Sequence, residues 1–397
     1  MEAVGVIIFL PREGSGPSLM LEDILFDPAA AWLAEALKGA GLERFFVVCH
    51  DDDREKAASC FPAGTEFVTT GTDDAAERLS AFLAERPGKV VVITRPVLLS
   101  EGNAGQLLAD HPSTALEDRD TGVCRIDTET LSAALAEGAD FESALRSGAD
   151  RLGARSVWFQ GAYLLRSGWE GRMEAELTAR QYGAVRLMKA GVRVTDPNSV
   201  YVGPKVSVGE GTVLLPGVIL RGVTAIGRDC EIGPNAMITD CTVGERVTVN
   251  ASQLNESRVE SGAKIGPFAY IRPHCYVGRD VKVGDFVELK NSTIGEGTKI
   301  SHLTYVGDSD VGGKVNFGCG TVTVNYDGAA KYRTTIGDNA FIGCNTNLVA
   351  PVKVGDGAYT AAGSTITDDV PADSLAIARS IQVVKKQWAA KRRRRGK

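Results

Sequence analysis

The sequence predicts two domains of different class, an α/β sheet domain followed by an all-β parallel β-helix. Three observations carry this: alternating strand-like and helix-like segments over residues 1–168, a change of pattern after Asp196-Pro197, and aliphatic residues that from there on recur every six positions. A chain of 397 residues has room for two or three domains at roughly 150 residues each. In the first domain the strand candidates are 4–10, 44–49, 89–94, 122–126 and 156–160. Ala-rich amphipathic runs lie between them at 29–40, 73–85, 129–137 and 141–152. That rhythm implies a parallel sheet covered by helices. A longer helical run over 169–189, closed by Gly191, reads as a linker, so the expected division is 1–168, a linker at 169–195, 196–384, and a tail at 385–397.

In the second domain the repeated residues are Val202, Val208, Leu214, Leu220, Ile226, Ile232 and Ile238. The register slips near Val243, resumes from Val259 through Leu289, and returns at Ile336, Ile342, Leu348 and Val354. Neither a helical period nor simple alternation produces this spacing. Six-residue units that each make one short strand and one corner do, with the aliphatic side chain inside. Three units make a coil, so residues about 18 apart stand one above the other. The period breaks over residues 322–335, and an insertion in a solenoid has to project as a loop from a corner.

Composition narrows the function classes. The chain carries 44 Lys+Arg against 50 Asp+Glu, a formal net charge of −6. Eight basic and no acidic residues fall in the last thirteen, which leaves the body at 36 − 50 = −14. An acidic body gives no electrostatic reason to expect nucleic acid on its main surface. The start reads as a buried strand rather than a signal peptide, and no apolar run is long enough to cross a bilayer. Eight scattered cysteines without a C-x-x-C pair suit a reducing cytoplasm.

Just ahead of the projecting loop the coils gather Arg272, Glu288, Lys290, His302, Tyr305 and Asn316, and the loop itself adds Asn325, Tyr326 and Lys331. Arg272 and Lys290 are 18 apart and so share a face, an arrangement suited to a phosphate. An Arg/Lys pair taken alone is ordinarily a solvated surface, and a lone histidine is ordinarily structural. Here a titratable base and a phenol stand at one edge beside the cations.

The runs Gly266-Pro267-Phe268-Ala269-Tyr270-Ile271-Arg272-Pro273, Val287-Glu288-Leu289-Lys290, His302-Leu303-Thr304-Tyr305, Asn316-Phe317-Gly318-Cys319-Gly320-Thr321 and Asn325-Tyr326-Asp327-Gly328 closely resemble the acetyltransferase half of the bifunctional uridyltransferase/acetyltransferase family, GlmU. The resemblance covers about residues 190–388. It implies a left-handed coil, a homotrimer with sites at subunit boundaries, and transfer of an acetyl group from acetyl-CoA to glucosamine-1-phosphate on the route to UDP-N-acetylglucosamine. It further implies that Arg272, Lys290, Tyr305 and Lys331 hold the phosphate, Asn316 contacts the sugar and Glu288 lies beside the amine. His302 is implied as general base, with Asn325 and Tyr326 in the loop that orients the reacting groups. Tyr326, Cys344, Ala362 and Arg379 fall on the acetyl-CoA side, where Cys344 replaces the family's usual serine, a stronger donor than a thiol. No resident metal is implied for this half. The basic tail is expected as a solvated end that, by the resemblance, reaches a neighbouring subunit and screens CoA phosphates.

The first domain matches that family's nucleotidyltransferase half less well, as a shortened Rossmann-like sheet. Its first strand leads into Pro11-Arg12-Glu13-Gly14-Ser15-Gly16, and from Glu13 to Leu37 there is no Lys or Arg to meet a triphosphate. Arg95 stands where the family has a Mg²⁺-binding aspartate, which inverts the local electrostatics. Gly71-Thr72-Asp73 reads as a helix N-cap rather than a uridine contact. The expectation is a sheet that has lost uridylyl transfer, with Mg²⁺ needed only if that activity survives. The alternatives are a bifunctional enzyme rebuilt around Arg12, a zinc hydratase, poorly supplied by four histidines in the chain, and a non-catalytic scaffold.

Overall fold

A computed structural model describes residues 3–12, 14, 16–69, 74–109, 115–118, 122–136, 156–158 and 161–395. It divides into two compact units, Met1–Asp240 and Cys241–Lys397. The expected helix over 141–152 and the Gly71-Thr72-Asp73 cap lie outside the described residues, as does His111, one of the four histidines counted against a zinc site. No helix among the described residues is long and apolar enough to cross a membrane.

The first unit is built on a seven-stranded sheet in the order Ser156–Trp158, Ala115–Asp118, Val123–Asp127, Lys89–Ile93, Ala3–Phe9, Phe45–Cys49, Glu66–Thr69. Alternation along Ala3–Phe9 sends Val6 and Ile8 into one core, against Leu33 and Leu37 of the helix Ala29–Gly39. Ile7 and Phe9 enter the other, against Leu79 and Phe82 of the helix Ala75–Glu85. Strands apolar on both faces are what a sheet with helices on both sides requires. The sheet is mixed rather than wholly parallel, because Val123–Asp127 runs antiparallel to both Lys89–Ile93 and Ala115–Asp118. With Asp118 opposite Val123, those two strands are hairpin neighbours and have no crossover helix to set them parallel.

The helix Gly168–Lys189 buries Gly171, Ala175, Ala179 and Gly183, a row of small residues four apart on one face. A Cβ on Gly183 would come within 2.9 Å of the Val202 carbonyl oxygen, so the small row sets how closely the helix lies on the strand Tyr201–Val202. Arg186 then donates to the carbonyls of Pro204 at 2.8 Å and Val206 at 3.0 Å. These contacts bind the helix to the first coils, and the compact unit extends to Asp240.

The second unit continues the six-residue grammar as three parallel ladders. On one face Ile265, Val283, Ile300, Phe317 and Ile342 pair in succession, and on the next Ile271, Leu289 and Val306. All eight are at most 3% exposed, so each aliphatic residue stacks on its equivalent one coil away. The break in the period is shorter than 322–335. Val322–Val324 and Thr334–Ile336 are ladder strands, and the projecting loop between them is held by pairing of Tyr326 with Lys331.

Candidate active site

One corner of the coil brings an acid and a histidine together. The strands Lys282–Asp285 and Lys299–His302 run in register with Asp285 opposite His302. His302 Nδ1 lies 2.5 Å from Asp285 Oδ1. That hydrogen bond holds the Asp285 carboxyl below the usual carboxylate range. An ionised carboxylate can only accept, so Nδ1 is the donor, and in the neutral imidazole the lone pair is then on Nε2. Each residue is followed by a non-glycine residue in the left-handed region, Phe286 at φ 54° and Leu303 at φ 44°, which turns the chain at the same height in both coils. Sequence reasoning missed Asp285. The available signal was its place 17 residues before His302, about one coil.

The next face carries the polar set. Glu288–Lys290 pairs with Tyr305–Gly307, Glu288 opposite Tyr305 and Lys290 opposite Gly307. Arg272 lies one coil from Lys290, by the register of Ile271 with Leu289. Its Nη1 donates to Glu288 Oε1 at 2.9 Å. Lys331 is near enough to Lys290 to act on its ammonium, and Asn325 Nδ2 is 3.5 Å from the Tyr305 hydroxyl. A Cβ on Gly307 would fall 2.3 Å from that hydroxyl, so glycine there lets the phenol lean toward Lys290.

The cations are not bare, as a simple sign reversal in an acidic body would have them. Arg272 is matched by Glu288, and Lys290 Nζ sits 3.2 Å from Asp308 Oδ2. Asp308 is 5% exposed and also accepts from Asn291 Nδ2 at 2.6 Å and from Asn325 Nδ2. Burial pushes its carboxyl up, but the three donors outweigh burial and leave it lowered. A carboxyl depressed in the folded state contributes stability that is complete above its unfolded value, about 3.9, and lost as pH falls through the folded value. Thermal melts between about pH 6 and pH 3 should therefore show a smaller loss of Tm on acidification for Asp308→Asn than for the unaltered protein. Equal losses would remove Asp308 from the acid response.

Continuing the Asp285–His302 column coil by coil, the register of Ile300, Phe317, Ile342 and Thr360 places Cys319, Cys344 and Ala362 in turn beyond His302. Arg379 reaches the same end, its Cδ 3.7 Å from where a Cβ on Gly363 would lie. Cys344, Ala362 and Arg379 thus gather on one side of His302, while Glu288, Tyr305, Arg272, Lys290 and Lys331 gather on the adjoining face. Asn316 does not join either group. It begins its strand opposite Lys299, three residues or about 10 Å from the His302 end. Tyr326 is exposed, and its hydroxyl donates to the Gly328 carbonyl at 2.6 Å. The basic tail contains a helix, Trp388–Arg395, with the Arg392 guanidinium 5.6 Å over the Trp388 ring.

In the first unit the cation nearest the glycine loop is committed elsewhere. Arg12 Nε and Nη2 each donate at 2.8 Å to Asp53, which is 4% exposed, and Nη1 donates to Asp52 at 3.3 Å. Glu22 and Asp23 are exposed, and Glu13 lies outside the described residues. Arg95 lies against the turn at Gly122, where a Cβ would come within 2.9 Å of its Cγ. A guanidinium there does not fit a divalent cation, and no group of three or more His, Cys, Asp or Glu suited to a metal stands together among the described residues.

Comparisons with known proteins reach both halves of the chain. Residues 256–291 and 333–368 match the bacterial transferase hexapeptide (six repeats) family. The bifunctional protein GlmU of Brevibacillus brevis is 54% identical over 224 residues, 56% of this chain and 49% of that protein. The one from Clostridium kluyveri is 53% identical over 205 residues, 52% and 45% of the two chains. The chain thus spans about half the length of these relatives. Among solved structures, the 4-diphosphocytidyl-2C-methyl-D-erythritol synthase of Anaerococcus prevotii covers 45% of this chain and 96% of its own at 14% identity, with a TM-score of 0.32. The bifunctional protein GlmU of Acetivibrio thermocellus is 35% identical over 453 residues, 99% of this chain and 98% of that protein. With an α/β domain leading into hexapeptide coils and similarity along its whole length to such a relative, the chain belongs to the GlmU family.

Proposed function

We propose that the chain is a glucosamine-1-phosphate N-acetyltransferase that uses acetyl-CoA to give N-acetylglucosamine-1-phosphate, toward UDP-N-acetylglucosamine. The observation that carries it is the junction at His302, with the cation-bearing face on one side and Cys344, Ala362 and Arg379 on the other. The sugar phosphate lies along the face, its phosphate on Arg272, Lys290, Lys331 and Tyr305 and its amine toward Glu288 and His302. His302 Nε2 takes a proton from the ammonium, the amine attacks the thioester carbonyl, and the C–N bond forms as the C–S bond breaks. That first proton leaves to solvent, and the second, which the nitrogen loses as the C–S bond breaks, passes by way of His302 to the CoA thiolate. Asp285 is a positioning residue that holds the imidazole in the reactive tautomer. Fixed N–H donors near Cys344 meet the oxyanion, and Asn325 and Tyr326 orient the reacting groups.

The active form is a homotrimer, each site completed by Asn316 of another copy. Two features support this: the separation of Asn316 from the other residues in a single chain, and an apolar ridge beside the Asp285–His302 edge. Phe268 and Phe286 stack there at 5.4 Å, and these two and Leu303 are each more than half exposed. A partner surface removes such a ridge from water.

The sheet domain no longer transfers uridylyl groups and binds no catalytic Mg²⁺. The pairing of Arg12 with Asp53 and the place of Arg95 support this. The alignment with the full-length relative carries 453 − 397 = 56 or more positions that have no residue in this chain. A bifunctional enzyme is the second reading, favoured by the extent of that same alignment. An assay with glucosamine-1-phosphate, acetyl-CoA, UTP and Mg²⁺ separates the two. Thiol release without pyrophosphate release is expected; pyrophosphate release selects the bifunctional enzyme, and absence of thiol release rejects the acetyltransferase.

A further inference from the structure

None of the eight cysteines is in a disulfide. Cys49, Cys60, Cys124, Cys230, Cys241 and Cys275 are buried, whereas Cys319 is half-buried and Cys344 exposed. The two accessible thiols belong to successive coils. Phe317 pairs with Ile342 in register, the Gly318 N–H donates to the Ile342 carbonyl at 2.7 Å, and the Asn345 N–H donates to the Cys319 carbonyl at 2.8 Å. The ladder is therefore continuous on both sides of the pair, and Cys344 stands next to Cys319 with no freedom to change register. A Cβ on Gly318 would come within 2.4 Å of the Cys344 nitrogen, so nothing fits between the two coils there. Neighbouring strands lie about 4.8 Å apart, inside the roughly 4.4–6.8 Å that separates the Cα atoms of a disulfide. His302 is the residue on the other side of Cys319 in the same column.

We infer that Cys319 and Cys344 form a dithiol that closes to a disulfide by exchange with a small-molecule disulfide, and that closure stops acetyl transfer. The more exposed Cys344 thiolate attacks one sulfur of oxidised glutathione, forms a mixed disulfide and expels one glutathione thiolate. Cys319 attacks the Cys344 sulfur and expels the second. The two cysteine protons pass to the two glutathione thiolates, so the dithiol loses two electrons and the glutathione disulfide gains them. The bridge ties together the two corners next to His302 and withdraws the Cys344 thiol from the acetyl-CoA side. The loss of activity rests on the acetyltransferase reading; the dithiol itself does not.

The test uses the full chain treated with oxidised glutathione. The expected result is a mass lower by two hydrogens, a linked peptide containing Cys319 and Cys344, and acetyl transfer reduced about tenfold or more, restored by dithiothreitol. Cys319→Ala should keep its untreated turnover and carry a single glutathione on Cys344 after treatment. Both thiols remaining open to alkylation, or a lasting glutathione adduct on Cys344 of the unaltered chain, overturns the dithiol. A complete cross-link with unchanged turnover overturns the switch. If the untreated protein transfers no acetyl group, the acetyltransferase reading fails while the peptide map still decides the dithiol.

Discussion

Replacing His302 by alanine is expected to lower kcat for acetyl transfer by about 10²–10⁴-fold, the range for a positioned general base. KM for both substrates should stay within about threefold, because a group that acts on the transferred proton contributes chiefly in the transition state. Asp285→Asn should fall between that variant and the unaltered enzyme. The amide can still meet Nδ1 through its oxygen, but it no longer stabilises the imidazolium that forms as the proton is taken. Steady-state kinetics with purified variants check both. Unaltered turnover in His302→Ala removes it as base, and a kcat of Asp285→Asn equal to the unaltered value removes Asp285 as its positioning residue.

Lys290→Ala is expected to raise KM for the sugar phosphate by about 10- to 100-fold, from the roughly 1.5–3 kcal/mol of a hydrogen bond to a charged group. The same change strands Asp308, a buried carboxylate, without its cation, and breaking such a pair costs about 3 kcal/mol. Binding and stability are separated by the double variant Lys290→Ala/Asp308→Asn, which has no unpaired charge left to bury. Its Tm should recover toward the unaltered value while the raised KM persists. If KM recovers together with Tm, Lys290 acts on the fold and not on the phosphate.

The legibility of this chain differs by level. Hexapeptide strands were readable because their spacing is a property of consecutive residues: Ile271, Leu289 and Val306 are buried for the same local reason each time. Arg272 over Lys290 followed from the same arithmetic. The short strands Glu66–Thr69 and Ala115–Asp118 and the helix Glu101–Leu108 escaped, since segments of four to eight residues carry too little pattern to separate from loops. The antiparallel turn of Val123–Asp127 also escaped, because strand direction is decided by the partner across the sheet.

The candidate site divides the same way. Residue types and their order pointed to His302, the cations and the loop. What neutralises each group depends on which atoms meet across coils or elements. That Asp285 orients His302, that Asp308 gathers Lys290, Asn291 and Asn325, and that Arg12 is spent on Asp53 were decided only by the tertiary structure. By itself the sequence determined the class of both domains and the acidic body with its basic tail. A period repeats what each residue already prefers, and summed charge needs no coordinates. Pairing needs both partners placed in space, and so the stacking of Cys344 on Cys319, 25 residues apart across the projecting loop, belongs to the fold alone.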